Sequence, residues 1–192
     1  MKKTPLYDNH VKMGAKIIDF GGWMLPVQYE GIIKEHNAVR GAAGLFDVSH
    51  MGEVTAKGRG AQEFIQNLIT NDISGLADFQ EMYSPMCYPD GGTVDDIIVY
   101  RISSEDFLIV VNAANTDKDY EWMLENKKGD VDLENVSDSY AQLALQGPKA
   151  QGILQKLTDF DLAGLKFFRF AKDVKIDGVS AVVSRSGYTG ED

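Results

Sequence analysis

Ala61, Phe64, Ile65, Leu68 and Ile69 recur at i, i+3, i+4, i+7 and i+8, the spacing of one apolar helix face. A second helix is predicted over residues 31–40, with Ile32, Ile33, His36 and Val39 on its inner face and a Gly/Ala stop at 41–44. After Leu45 and Phe46, residues 47–51 form a short, partly apolar turn region. Residues 107–111 are a continuous apolar run of the buried-strand kind, leading into Asn112-Ala113-Ala114-Asn115-Thr116. Thr116, with Asp119 three residues on, predicts a capped helix carrying Tyr120, Trp122 and Met123. Residues 143–145 read as another strand. Gly147-Pro148 then opens a helix with Ile153, Leu154 and Leu157 inward.

Part of this pattern repeats. Gly58, Ala61, Gln62, Gln66 and Leu68 recur 89 positions later as Gly147, Ala150, Gln151, Gln155 and Leu157. Further on, Gly91-Gly92-Thr93-Val94-Asp95-Asp96 resembles Gly187-Tyr188-Thr189-Gly190-Glu191-Asp192. Each copy reads as strand, helix, then a hairpin with a Gly turn, which suits a duplicated ferredoxin-like α+β fold. The second copy stops where a return strand is expected, leaving residues 179–184 without a hairpin partner. On this reading the 192 residues are the N-terminal piece of a longer protein.

The pattern is broken by chemistry at one place. Val94 to Tyr100 is a β-branched and aromatic strand, yet it contains two adjacent acids. Alternation puts Val94, Asp96, Ile98 and Tyr100 on one face and Asp95, Ile97 and Val99 on the other. Each face therefore carries one carboxylate beside apolar neighbours, and an unpaired buried carboxylate is too costly to persist. Two readings stay open: acids still wet as the strand leaves its turn, or a carboxylate aimed into a cleft. Asn112, at the exit of the buried strand, could read a ligand edge with one donor and one acceptor, or could start an Asx turn.

Composition removes other classes. The chain is 44% hydrophobic and 25% charged, as in ordinary globular proteins, and its net charge of −10 gives no basic patch for nucleic acid. No signal-peptide core follows Met1-Lys2-Lys3, and no run approaches the roughly 20 apolar residues of a membrane span. His10, His36 and His50 lack ligand spacing, so no metal site is expected. Cys87, the single cysteine, fits a reducing compartment and reads as a buried small residue. Trp23 and Trp122 read as core anchors, and residues 130–138 as a solvated loop and strand edge. The Gly-rich stretches lack the Lys-Ser/Thr of a phosphate loop.

Eight motifs carry a family resemblance. They are Thr4-Pro5-Leu6-Tyr7, Asp19-Phe20-Gly21-Gly22-Trp23, Pro26-Val27-Gln28-Tyr29, Phe46-Asp47-Val48-Ser49-His50-Met51, Asp95-Asp96, Val110-Val111-Asn112-Ala113, Leu145-Gln146-Gly147-Pro148 and Gly187-Tyr188-Thr189-Gly190-Glu191-Asp192. In this order they resemble the N-terminal half of the glycine cleavage system T-protein family, the aminomethyltransferases. The resemblance implies residues 1–51 and 138–192 as a discontinuous folate-binding domain, residues 52–137 as an inserted α+β domain, and a C-terminal β-barrel beyond residue 192.

It also implies a reaction. A methylene group passes from an aminomethyl group on the lipoyl arm of a carrier, the H-protein, to tetrahydrofolate, with release of ammonia and without metal or nicotinamide. Asp96 would be the catalytic acid, with Asp95 a supporting or solvated neighbour. Met51, Tyr83, Val110, Asn112 and Tyr188 would join Asp96 in lining the folate site. The protein would be cytoplasmic, with no nucleic-acid or membrane partner, and residues 1–192 alone would be inactive. The alternative keeps the fold without the transfer, as a folate-binding paralogue in iron–sulfur maintenance, RNA modification or folate-linked amine oxidation.

Overall fold

The computed structural model describes residues 1–191, and Asp192, the last residue of the second Gly motif, lies outside the described residues. Two compact units divide the chain: Met1–His50 with Ala141–Asp192, and Met51–Tyr140. Chain order begins in the discontinuous unit with β1 (Lys2–Lys3), α1 (Tyr7–Lys12), β2 (Lys16–Phe20), β3 (Trp23–Gln28), α2 (Ile32–Gly41) and β4 (Gly44–Asp47). The continuous unit holds β5 (Gly52–Lys57), α3 (Ala61–Leu68), β6 (Gln80–Cys87), β7 (Thr93–Ser103), β8 (Asp106–Val111), α4 (Thr116–Glu125) and β9 (Asp132–Asn135). The chain then returns with β10 (Leu143–Gln146), α5 (Ala150–Leu154), β11 (Arg169–Ile176) and β12 (Val179–Arg185). The protein is α+β.

In the continuous unit the strands lie in the order β6-β7-β8-β5-β9, each antiparallel to its neighbour. One sheet face is dry. Val54, Ala56, Ile97, Val99, Phe107, Ile109 and Val111 pack there with Phe64, Ile65 and Leu68 of α3 and Met123 of α4. Phe64 and Ile65 are 1% and 0% exposed, so each contributes about 1.5–3 kcal/mol of burial. β5 comes close to α4: a Cβ on Gly52 would lie 2.5 Å from the Thr116 side chain and 2.7 Å from Val111.

In the discontinuous unit, β1, β3 and β2 form one sheet, β4 pairs with β10, and β11 pairs with β12. A polar chain ties α1 to β4: Tyr29 Oη lies 2.7 Å from His10 Nδ1, and His10 Nε2 lies 2.8 Å from Asp47 Oδ2. Burial pushes the Asp47 carboxyl up, but hydrogen bonds led by that from His10 outweigh it and hold the group below its usual value. Gly147 has φ +127°, and a Cβ there would sit 2.7 Å from the carbonyl oxygens of both Val39 and Ala42, so only glycine fits.

Several expectations change. Residues 179–184 do have a hairpin partner, because β12 returns antiparallel along β11. On α2 only Val39 is buried, while Ile32 and Ile33 are 63% and 78% exposed and His36 is exposed. The short strands β3 and β4 that α2 touches do not cover the whole stripe. Ile153 and Leu157 are likewise exposed, since the α-helix after Gly147 is one short turn followed by a 3₁₀ turn. Cys87 and Trp23 are half-buried rather than core residues, while Trp122 is half-buried and packs against the core of the continuous unit. No helix among the described residues is long and apolar enough to cross a membrane.

Candidate active site

β7 enters from a tight turn in which Gly91 adopts φ +88° and the Asp90 carboxylate accepts from Gly92 N at 2.9 Å. The register then sets two rows across the sheet on the face away from the dry core. Tyr83, Ile98, Val110 and Glu53 are successive partners across β6, β7, β8 and β5. In the next row Pro85 pairs with Asp96, and by the same register Asn112 and Met51 continue it just past the ends of β8 and β5. Met51, Tyr83, Asp96, Val110 and Asn112 therefore come together on one face.

Their environments differ. Val110 is buried at 6% exposed, Met51 and Asn112 are half-buried, and Tyr83 and Asp96 are exposed. Glu53, which sequence reasoning missed, is buried in the first row, and burial pushes its carboxyl up to about 7. Tyr188 belongs to the discontinuous unit and is exposed. There Gln146 Oε1 accepts from Tyr188 N at 2.7 Å and Thr189 N at 3.2 Å, fixing the Gly turn. Arg40 Nη1 adds an ion pair to Glu191 at 2.8 Å.

The opposite side of β7 holds the other carboxylate. Asp95 is only 5% exposed, so of the two roles the resemblance implies, supporting or solvated neighbour, the solvated one is excluded. Its Oδ2 accepts from Asn112 N at 3.1 Å, and its Oδ1 accepts from Asn112 Nδ2 at 2.9 Å and Asn115 Nδ2 at 3.0 Å. Burial raises its pKa, but a hydrogen bond from Asp119 and those from the two asparagines outweigh burial and hold it below its usual value. Asp119 is fully buried, and burial together with Asp95 pushes it up to about 7. Lys118 Nζ donates to Asp119 Oδ1 at 2.8 Å and to the Val94 carbonyl.

A 3₁₀ turn at Ala113–Asn115 makes this cluster possible. Side chains three apart eclipse in that geometry, so Asn112 and Asn115 both reach Asp95. The spacing of the two asparagines was the available signal. The capping reading of Thr116 and Asp119 concealed it. Thr116 Oγ1 donates to the carbonyls of Asn112 and Ala113, and Asp119 turns inward, so α4 starts without a side-chain cap.

Asn112 joins the two sides. Its Nδ2 also lies 3.0 Å from the Asp96 carbonyl and 3.2 Å from Asp96 Oδ1. The arrangement presents a carboxylate and an amide beside an apolar floor, able to accept from ligand N–H groups and to stabilise a nearby cation. Among the described residues no three His, Cys, Asp or Glu side chains are placed to hold a metal.

An antiparallel sheet with helices on one face and this acid-and-amide cluster on the other defines an α+β protein. The chain belongs to the family described as GCVT N-terminal domain, which it matches over residues 6–192. It is 61% identical over its whole length to an aminomethyltransferase of Thermoanaerobacter sp. (strain X514), covering 52% of that relative. It is 56% identical to the aminomethyltransferase of Geobacillus kaustophilus (strain HTA426), covering 53% of it. The chain thus spans about half the length of the curated relatives it matches.

The solved glycine cleavage system aminomethyltransferase T from Bartonella henselae superposes with a TM-score of 0.89 at 34% identity, over all of this chain and 52% of that one. A heterotetrameric sarcosine oxidase from Corynebacterium sp. U-96 shares the fold at a TM-score of 0.57 and 13% identity, over 81% of this chain and 77% of that one.

Proposed function

We propose that the protein containing this chain is an aminomethyltransferase of a glycine cleavage system, with tetrahydrofolate as acceptor and a lipoyl carrier, the H-protein, as donor. In the reaction the C–S bond to the lipoyl sulfur and the C–N bond to the leaving ammonia break. Two C–N bonds to the folate form, giving 5,10-methylenetetrahydrofolate, and the lipoyl sulfur leaves as a thiol. The single observation that carries this reading is the sheet face joining Asp96 and Asn112 to Met51, Val110 and Tyr83. The names of the relatives support it.

Each residue has a role in this account. The Asp96 carboxylate accepts from the folate N–H that bridges the pterin and benzoyl parts, orients that nitrogen and stabilises the cationic iminium formed as ammonia leaves. Asn112 reads a pterin edge, and Met51, Val110 and Tyr83 supply its apolar floor. We take residues 52–137 as the domain inserted between 1–51 and 138–192 of a duplicated ferredoxin-like fold, and assign the family's C-terminal β-barrel to the remaining length of the relatives.

The test is formation of methylenetetrahydrofolate by the full-length protein from an aminomethyl-lipoyl carrier and tetrahydrofolate. Transfer supports the reading. Folate binding without transfer would leave a folate-binding module and overturn it.

A further inference from the structure

Asp119 carries no part in the reaction proposed above, yet it is the most deeply placed acid among the site's neighbours, at 0% exposed. Its Oδ1 accepts from Lys118, while its Oδ2 is buried with no donor to accept from. The carboxyl it meets, Asp95, already accepts three amide N–H bonds. An ionised carboxylate has about four lone-pair sites. Two ionised carboxylates in contact would leave both Asp119 Oδ2 and the fourth site of Asp95 without a proton. One proton on Asp119, donated to Asp95, satisfies both.

We propose that Asp119 is a positioning residue, a carboxylic acid whose proton is held on Asp95 and thereby fixes the orientation of Asn112 at the ligand face. The chain of cause is short. With Asp95 ionised and acceptor-only, the Asn112 side chain must turn its NH₂ toward Asp95 and Asp96. Its carbonyl oxygen is then the one polar atom left to meet a ligand, and it selects a ligand N–H donor over an acceptor. A second charge on Asp119 would repel Asp95 and loosen this hold.

The surroundings allow a neutral acid. Asp95 on β7 and Lys118 on α4 itself are the charged groups acting on Asp119. The core-facing neighbours of Asp95 on β7 are Ile97 and Val99. β5, which packs against α4, turns Gly52, Val54 and Ala56 toward it. None of these titrates. The proton leaves at about pH 7.

The assignment of the ligand rests on the folate reading, so the experiment has an arm that does not. The full-length protein is labelled with ¹³C at aspartate carboxyl carbons and with ¹⁵N at asparagine side chains, and titrated without ligand. We expect an aspartate carboxyl that titrates near pH 7, disappears in Asp119→Asn, and moves the Asn112 amide signals in step. An Asp119 carboxyl that titrates in the ordinary carboxylate range overturns the proposal.

Tetrahydrofolate affinity is then measured by calorimetry from about pH 6 to about pH 9, where the wild type should weaken about tenfold. Asp119→Asn, whose amide can still donate to Asp95 and accept from Lys118, should keep the low-pH affinity and lose the drop. Asp119→Ala should bind weakly throughout. A drop of the same size in Asp119→Asn overturns the proposal. Titration near pH 7 with coupled Asn112 signals, but no tetrahydrofolate binding by any variant, upholds the proton on Asp119 and overturns the folate reading instead.

Discussion

Asn112 Nδ2 lies 2.9 Å from Asp95 Oδ1, so the residue that leaves the buried strand β8 is tied by its side chain to the acid beneath the neighbouring strand. The same amide reaches Asp96 on the other side of β7. Adjacent acids that alternation sends to opposite faces are thereby joined through one side chain. The two are placed differently: Asp95 anchors the turn, and Asp96 faces solvent.

Asp95→Ala should therefore act first on folding. It removes the acceptor of three amide N–H bonds in a buried place, and a loss of about 3 kcal/mol or more is expected. Chemical denaturation of the full-length protein checks this. The face assignment and the resemblance together imply a milder effect for substitution of Asp95 than of Asp96. Burial makes them different in kind, with stability lost at Asp95 and transfer lost at Asp96.

Gly52→Ala is expected to destabilise by about 1–3 kcal/mol, because the added methyl meets Thr116 and Val111 and forces β5 and the start of α4 apart. Gly147→Ala should cost at least as much, since the obstacles there are backbone carbonyls and φ is positive. Gly75→Ala, where a Cβ meets nothing within 4 Å, is the control and should be near neutral in thermal unfolding.

Asp47 gives a pH signature. Its folded-state carboxyl is held below the usual value, so its stabilisation is present above the unfolded-state pKa and is lost as pH falls through the folded-state one. Asp47→Asn should lower stability at neutral pH by about 1–3 kcal/mol and flatten the acid limb of the stability profile. Glu53 has the opposite sign. Its carboxyl is raised to about 7, so its contribution is full below the unfolded-state pKa and is lost as pH rises toward 7. Glu53→Gln should flatten that limb, as read from denaturation midpoints across pH.

Sequence pattern revealed those elements whose apolar stripes find partners in their own unit. The stripe of α3 was legible because Phe64, Ile65 and Leu68 close the same core as β7 and β8. The stripe of α2 was equally periodic, yet Ile32 and Ile33 are exposed, because periodicity records what a helix could bury and not what lies beside it. The hairpin of β11 and β12 was missed because its first strand, Arg-Phe-Ala-Lys-Asp-Val-Lys-Ile, is broken by a bulge between Ala171 and Val174 that disturbs the period-two signal.

At the site, the alternation around Asp95 and Asp96 could be read directly, but the choice between their roles came from resemblance. Asn115 left only its spacing from Asn112 as a signal, and the roles of Lys118 and Asp119 left none. The meeting of Asn115 and Asp119 with Asp95 depends on a 3₁₀ turn that local propensity does not announce, and on two strands whose register brings residue 112 beside residue 96.

The central claim is that Asp96 handles charge at the reacting folate nitrogen on this sheet face. Single-turnover methylene transfer by the full-length protein, with saturating tetrahydrofolate and aminomethyl-lipoyl carrier, tests it directly in wild type and Asp96→Asn. The account predicts a transfer rate reduced by about 10²–10⁴-fold with unfolding midpoint and tetrahydrofolate affinity little changed. Transfer at the wild-type rate by a folded Asp96→Asn protein would contradict it.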